Sequence, residues 1–188
     1  MGIDVHPVTP ERWDDLEALF GPRGACAGCW CMFLRQTRSE HQAMKGNPNR
    51  QALQAIVQSG QTPGMLAYVD GDAAGWCAVA PREEFSALER SRILKPVDDA
   101  PVWSITCLFV AKEHRRQGLT LALIDAALAH ARTNGATVVE AYPVEPKSSD
   151  MPPVFIWTGV ASMFAQCGFS EVARRSATRP IMRISLDR

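Results

Sequence analysis

The sequence has no net charge and no long apolar run, and these two absences exclude several classes of protein. Its 188 residues carry 20 Lys and Arg against 20 Asp and Glu, so bulk electrostatics would not hold a nucleic acid. No apolar stretch approaches the roughly 18–20 residues that cross a bilayer. The first residues include Asp4 and no apolar core of a signal peptide. We therefore expect a cytoplasmic protein without a nucleic-acid or membrane partner.

The sequence also lacks repeats, low-complexity tracts and linkers that would divide it. The hydrophobic share of 46% is ordinary for a globular protein. A chain of this length buries roughly 70% of its unfolded surface, so it can fold without a disulfide or a metal ion. We expect a single domain over residues 1–188, with its six cysteines reduced.

Hydrophobic periodicity and turn residues predict an alternation of strands and helices. Strands are expected over residues 3–8, 65–69, 75–80, 102–110, 137–142, 170–175 and 181–186. Helices are expected over residues 10–20, 47–59 and 82–90, then from the segment after residue 118 to residue 133, and over 158–166. This order predicts an α/β protein with a mixed sheet and helices on both faces.

The clearest chemical signal lies between the strand at 102–110 and the following helix. Residues 115–120 read Arg-Arg-Gln-Gly-Leu-Thr. A helix N-terminus offers unpaired N–H groups and the positive end of a dipole, and Gly118 allows a tight turn. Such a turn is suited to a pyrophosphate. It is neither a Walker loop nor a dinucleotide fingerprint, because the required Gly-Lys-Ser/Thr and the further glycines are missing. The alternative is an ordinary turn with solvated charges.

The pattern Arg115-x-x-Gly118-x-Thr120 after an apolar strand resembles the acyl-CoA pyrophosphate loop of the GCN5-related N-acetyltransferase (GNAT) superfamily, Gln/Arg-x-x-Gly-x-Gly/Ala. The later Phe164, with Gly168 and Phe169 after it, is similar to the final helix and Gly-Phe ending of that superfamily. The resemblance implies a mixed, mostly antiparallel central sheet of about seven strands. It also implies acetyl-CoA as cosubstrate, without a metal ion.

The resemblance implies that acyl-CoA lies between the strand ending at Val110 and the strand around Glu140. The backbone of Leu108, Phe109 and Val110 would then pair with the pantetheine arm. The N–H of Leu108 would polarise the thioester carbonyl, an interaction of about 3–4 kcal/mol in the transition state. The pyrophosphate would be held by the loop, namely Arg115, Arg116, Gln117, Gly118, Leu119 and Thr120. Thr120 departs from the usual Gly or Ala, which tightens the loop.

An acceptor amine must lose a proton before it attacks. A lysine-like amine of pKa near 10.4 is neutral only about once in a few thousand molecules at pH 7, so a base is expected. Strand alternation places Glu140 and Tyr142 on one face. We expect Glu140 as the base, Tyr142 as the acid and Ser104 as a residue that holds a relay water. Phe164 stands where many relatives carry a proton-donating tyrosine, and a phenyl ring cannot donate. The alternative interpretations are that Glu140 is a salt-bridged carboxylate, that Tyr142 is a packing residue, and that Ser104 is an ordinary strand residue.

Three cysteines, Cys26, Cys29 and Cys31, follow the first predicted helix in a short apolar segment. Their spacing resembles half of a structural zinc site, but no second pair follows, and His41 could only be a distant fourth ligand. The resemblance implies that this segment forms the acceptor-side wall. Plain core packing is the remaining interpretation.

These observations predict an N-acetyltransferase that moves the acetyl group of acetyl-CoA to a primary amine by direct attack in a ternary complex. The acceptor would be a small-molecule or peptide amine, in a pocket shaped by the first two predicted helices and the Pro-rich loop 143–153. The resemblance also favours a homodimer. Two alternatives stand: a catalytically silent acyl-CoA-binding sensor or interaction module, and a zinc-binding module built on the three cysteines.

Overall fold

A computed structural model of the protein describes residues 2–146 and 151–186, so part of the predicted loop 143–153 lies outside the described residues. Seven strands form one sheet in the order β1-β2-β3-β4-β5-β7-β6. Neighbouring strands are antiparallel except for β4 and β5, which are parallel. The strands are β1 (Ile3–Pro7), β2 (Gly64–Val69), β3 (Asp72–Pro81), β4 (Trp103–Val110), β5 (Val138–Ala141), β6 (Ser170–Arg174) and β7 (Pro180–Ser185). The mixed, mostly antiparallel sheet confirms the predicted fold class.

Six α-helices accompany the sheet in the described residues: α1 (Trp13–Phe20), α2 (Arg38–Ala43), α3 (Asn47–Gln58), α4 (Ser86–Glu89), α5 (Leu119–Thr133) and α6 (Ala161–Gln166). None of the helices over residues 2–146 and 151–186 is long and apolar enough to cross a membrane. The last helix begins three residues later than predicted, after Gly159, whose φ of +82° is not helical.

Helix α2 is absent from the prediction, although its start carries a recognisable signal. The Thr37 hydroxyl accepts the N–H of Glu40 at 3.3 Å, and the Glu40 carboxylate accepts the N–H of Thr37 at 2.7 Å. This reciprocal pair is a capping box, and it satisfies backbone donors that the first turn leaves unpaired. The pair fixes where the short helix starts.

The two faces of the sheet are covered by different helices. On one face, α5 buries Leu123, Ile124 and Ala127 against the sheet, and Phe164 of α6 joins the same cluster. On the other face, α1 and α3 pack around Trp76, which is fully buried. Helices on both faces were predicted, and burial of these apolar side chains supplies the main stabilisation of such layers.

The two parallel strands diverge soon after they meet. Their pairing is limited to Trp103–Ile105 against Val139–Ala141. Beyond Ile105, the rest of β4 therefore has an edge that β5 does not cover. Residues 156–160 enter this gap: the N–H of Leu108 donates to the Trp157 carbonyl at 2.7 Å, and the N–H of Val144 donates to the Gly159 carbonyl at 2.9 Å. We call this stretch the wedge segment.

Candidate active site

A cleft of about 620 Å³ opens beside the uncovered edge of β4. One wall is the Cys-rich loop (residues 21–31) with α2, and the opposite wall is the wedge segment with the start of α6. The end of β4 and the start of α5 form the third side. The lining of the cleft includes Cys26, Cys29, Cys31, Phe33, His41, Lys45, Cys107, Leu108, Phe109, Val110, Arg115, Thr120, Trp157 and Gly159.

The turn before α5 has the geometry expected of an anion site. Gly118 has a φ of +84° and precedes the first helical residue, and Arg116 also has a positive φ. Within residues 2–146 and 151–186, the N–H groups of residues 116–120 have no hydrogen-bond acceptor. Arg115 and Thr120 line the cleft, so these free donors lie next to it. Consecutive unpaired N–H groups at a helix N-terminus attract phosphate oxygens.

The edge of β4 offers further donors to the cleft. The N–H of Ala111 donates to the Ala74 carbonyl of the β3 side at 2.9 Å. Strand alternation therefore directs the N–H groups of Leu108 and Val110 to the opposite edge, toward the cleft. The Leu108 N–H is not free there, because the Trp157 carbonyl accepts it. A ligand that accepts from the Leu108 N–H would therefore have to replace the Trp157 carbonyl.

Glu140, Tyr142 and Ser104 lie together in a buried network away from this cleft. Glu140 is 1% exposed, and its two carboxylate oxygens accept from Arg82 at 2.8 Å and from Arg183 at 2.7 Å. The Tyr142 hydroxyl donates to Glu140 at 2.6 Å and lies 2.8 Å from the Ser104 hydroxyl. Burial and the Glu140 charge raise the pKa of Tyr142 well above its usual value.

This arrangement does not favour the predicted catalytic roles of the three residues, which stay predictions. None of them lines the cleft, and Tyr142 is fully buried. The Glu140 carboxylate accepts from Arg82, Arg183 and Tyr142, which is the pattern of a charge held in a structural ion pair. The structure shows Glu140 as the salt-bridged carboxylate of the alternative interpretation. Strand alternation placed Glu140 and Tyr142 on one face but could not say what that face meets.

Four of the six cysteines line the cleft, namely Cys26, Cys29, Cys31 and Cys107. Burial raises the pKa of Cys29 to about 11. The pKa of Cys107 is also raised, first by its hydrogen bond with Cys31 and then by burial. The Cys31 sulfur accepts the indole N–H of Trp76 at 3.0 Å. In the described part of the chain no three His, Cys, Asp or Glu side chains come together as metal ligands.

The Cys-rich loop is held in an unusual backbone conformation. Four of its non-glycine residues have positive φ: Ala25, Ala27, Trp30 and Cys31. Such conformations cost about 1–3 kcal/mol each and persist where the surroundings enforce them. The carbonyl of Gly28 accepts the N–H of Gly46 at 2.9 Å and the Asn49 side-chain amide at 3.2 Å. These contacts tie the loop to the start of α3 and fix the cleft wall.

His41 is the functional candidate that the sequence interpretation missed. It lies on α2, lines the cleft and is 7% exposed. Its Nε2 is buried and has no hydrogen-bond partner among the described residues. Burial, and then the charge of Lys45, lower the pKa of His41 below 6.5. The capping box at Thr37 and Glu40 was the available signal, because it would have placed His41 on a helix next to the Cys-rich loop.

Comparison with known proteins identifies the family. The model of the acetyltransferase (GNAT) family matches residues 30–149, more than half of the chain. The chain belongs to the GNAT family, which confirms the resemblance drawn from Arg115, Gly118 and Thr120. Among curated proteins, no relative matches the sequence.

Solved structures show the same fold at low sequence identity. PaiA N-acetyltransferase from Thermoplasma acidophilum, in complex with coenzyme A, is 14% identical with a TM-score of 0.55, over 99% of this chain and 100% of that one. A GNAT-family acetyltransferase from Listeria monocytogenes is 11% identical with a TM-score of 0.60, over 98% and 95%. Ard1 from Thermoplasma volcanium is 14% identical with a TM-score of 0.54, over the whole of both chains. At this identity the likeness establishes the fold.

Proposed function

We propose that the protein transfers the acetyl group of acetyl-CoA to a primary amine by direct attack in a ternary complex. One observation carries the proposal: the unpaired N–H groups of residues 116–120 lie beside the cleft that the edge of β4 borders. A pyrophosphate fits the unpaired N–H groups. An extended chain that carries amides fits the edge of β4, because it can pair with a strand edge. Acyl-CoA carries both groups in one molecule.

In this proposal, the parts of acetyl-CoA would follow one another along the cleft. Its pyrophosphate would bind the amides before α5, and its pantetheine arm would lie along β4, where the Val110 N–H is available. The thioester carbonyl would take the Leu108 N–H in place of the Trp157 carbonyl. Exchange of the Trp157 carbonyl for the thioester carbonyl keeps the Leu108 N–H satisfied, while the released Trp157 carbonyl would need a new donor, such as water at the cleft.

Direct attack is favoured over an acyl-cysteine intermediate. The thiolate is the nucleophilic form of cysteine, whereas the pKa values of Cys29 and Cys107 are raised. Near neutral pH these side chains remain thiols. The amine itself is then the nucleophile that attacks the thioester.

A second candidate function is acyl-CoA binding without turnover. Phe164 is buried against Phe169, with ring centroids 5.1 Å apart, and offers no proton to a departing thiolate. The wedge segment also holds the Leu108 donor. Such a protein would bind acetyl-CoA and act on no amine, so turnover separates the two functions.

The proposal is tested by calorimetric titration of acetyl-CoA into the wild type, Gly118→Trp and Gly135→Trp. Gly118 and Gly135 bracket α5, have φ of +84° and +85°, and have no atom within 4 Å of an added Cβ. They are therefore matched in strain and space, and only Gly118 adjoins the cleft. We expect Gly118→Trp to abolish binding and Gly135→Trp to retain it.

Binding is followed by release of free thiol from acetyl-CoA in the presence of a panel of primary amines. Turnover with any amine supports the acetyltransferase, and binding without turnover on the whole panel supports the silent sensor. Failure of the wild type to bind acetyl-CoA would overturn both functions.

A further inference from the structure

His41 is the one histidine that both lines the cleft and has a buried ring nitrogen without a partner in the described residues. Leaving a buried polar atom unpaired typically costs about 1–3 kcal/mol. The helix that carries His41 is held by its capping box, so its ring is positioned rather than loose. An unsatisfied nitrogen in a cleft wall is suited to a ligand that brings its own hydrogen.

The ring is covered by one aromatic side chain. Phe33 packs edge-on against His41, with centroids 5.1 Å apart, and edge-on against Trp157 at 5.7 Å. Phe33 is itself 41% exposed. Exposed side chains change rotamer within nanoseconds, so Phe33 can adjust to a ligand in the cleft. Phe33 and Trp157, which both line the cleft, offer an apolar surface next to the imidazole.

The charges around His41 are cationic. Lys45 is the charged group that acts on the ring, and Arg115 is the other cation that lines the same cleft. The other titratable groups in the described lining are the thiols of Cys26, Cys29, Cys31 and Cys107. No described residue of the lining is an Asp or Glu.

On the basis of the acetyltransferase function proposed above, we infer that His41 is the base that takes the proton of the acceptor's ammonium group, and that the acceptor is a monoamine on an apolar or aromatic body. The apolar body would lie against Phe33 and Trp157. A polyamine would bring several positive charges to a wall that offers no described carboxylate and already holds Lys45 and Arg115.

The proton and electron balance is complete without a further reactant. The neutral imidazole removes one proton from the ammonium and passes it to water. The amine lone pair forms the C–N bond with the thioester carbonyl carbon, and the C–S bond breaks with its electron pair on sulfur. The second proton lost from nitrogen goes to the sulfur, which leaves as the free thiol of CoA.

The protonation state of His41 agrees with this role. Its pKa is lowered, so the ring is neutral at pH 7 and can accept a proton. Activity should be full above that pKa and be lost as the pH falls through it. The amine has its own ionisation near pKa 10, well separated from this acid limb.

The test compares the wild type with His41→Asn and His130→Asn, using 2-phenylethylamine and spermidine as probes. His130 is a matched control: burial lowers its pKa too, but it lies on α5 against Trp103, outside the cleft. We expect 2-phenylethylamine to be the better substrate by kcat/KM. We expect His41→Asn to lower kcat by about 100-fold and to remove the acid limb of the pH profile. The kcat and pH profile of His130→Asn should match those of the wild type, and both variants should bind acetyl-CoA with wild-type affinity.

A second variant separates chemistry from folding. Imidazole added to His41→Ala should restore turnover, which a purely structural histidine would not allow. Unchanged kcat in His41→Asn, an acid limb that persists in it, or no rescue by imidazole would overturn the base. A preference for spermidine would overturn the acceptor class while leaving the acetyltransferase intact, and loss of turnover on every amine in the wild type would instead overturn the proposed function.

Discussion

Two buried polar regions of the molecule differ in whether their hydrogen bonds are complete. In the network around Glu140, both carboxylate oxygens, the Tyr142 hydroxyl and the Ser104 hydroxyl have partners. In the cleft wall, the Nε2 of His41 has none in the described residues. Both regions contain residue types that serve in proton transfer. His41 lines the cleft beside β4, whereas the Glu140 network borders a separate pocket of about 380 Å³ through Arg82.

The difference shows what burial of a polar side chain indicates. A buried charge with complete partners is consistent with a structural role, because removing one partner strands the others. A buried nitrogen without a partner has lost its hydrogen bonds to water without replacement, and a ligand that hydrogen-bonds to it recovers that free energy. Residue type alone pointed to Glu140 and Tyr142, while the pattern of hydrogen bonds points to His41.

The largest effect on stability is expected from Glu140→Ala. This change leaves the guanidinium groups of Arg82 and Arg183 without their carboxylate, and breaking a buried pair costs about 3–5 kcal/mol. The free energy of unfolding, measured with a denaturant, should fall by that amount. Turnover per folded molecule should stay near the wild-type value, and a loss of turnover at unchanged stability would restore Glu140 as a catalytic residue.

The next effect is expected from Gly28→Ala in the Cys-rich loop. An added Cβ would lie 2.5 Å from the backbone nitrogen of Gly46, and Gly28 has a φ of +73°. We expect a loss of about 1–3 kcal/mol of unfolding free energy. Gly60→Ala is the control, because Gly60 has a φ of +85° with open space around it. Equal losses in the two variants would mean that the contact with Gly46 contributes nothing.

A smaller effect is expected from Tyr142→Phe. The change removes one hydroxyl from the network, so an N–H of Arg82 and the hydroxyl of Ser104 each lose a hydrogen-bond partner. We expect the free energy of unfolding to fall by about 1–2 kcal/mol. Thermal and denaturant unfolding would measure the loss. The rate of amine acetylation should not change its pH dependence, and a shifted alkaline limb would show that Tyr142 takes part in the chemistry after all.

The smallest effect is expected in the pH dependence of stability. The pKa values of His41 and His130 are both lowered, mainly by burial, so the unfolded chain binds protons more readily than the folded protein. Their contribution is fully present above about pH 6.5 and is lost as the pH falls toward the lowered values. His41→Asn and His130→Asn should each flatten this decline in denaturant unfolding. A steeper decline in either variant would contradict the lowered pKa.

The sheet and the turn before α5 were predictable because their signals are local. The strand at 102–110, the glycine at 118 and the apolar helix after it depend on neighbours in sequence, and the structure places β4 and α5 there. The anion site follows from the same stretch, since its donors are main-chain groups. Side-chain substitutions such as Thr120 do not remove them.

The catalytic side of the cleft could not be read in the same way. Arg82 lies 58 residues from Glu140 and Arg183 lies 43 residues from it, so their pairing depends on sheet order rather than on local pattern. The Trp157 carbonyl reaches Leu108 only because β4 and β5 diverge. His41 lies on a short helix whose capping box was overlooked. Contacts distant in sequence decided which polar groups were left unpaired.

The most direct test of this comparison is a side-by-side measurement of kcat and unfolding free energy in Glu140→Gln and His41→Asn, with acetyl-CoA and 2-phenylethylamine. We predict that Glu140→Gln loses stability and keeps its turnover per folded molecule. We predict that His41→Asn keeps its stability and loses about 100-fold in kcat. The reverse pattern, with turnover lost in Glu140→Gln and kept in His41→Asn, would contradict the assignment of the complete network to structure and of the unpartnered histidine to chemistry.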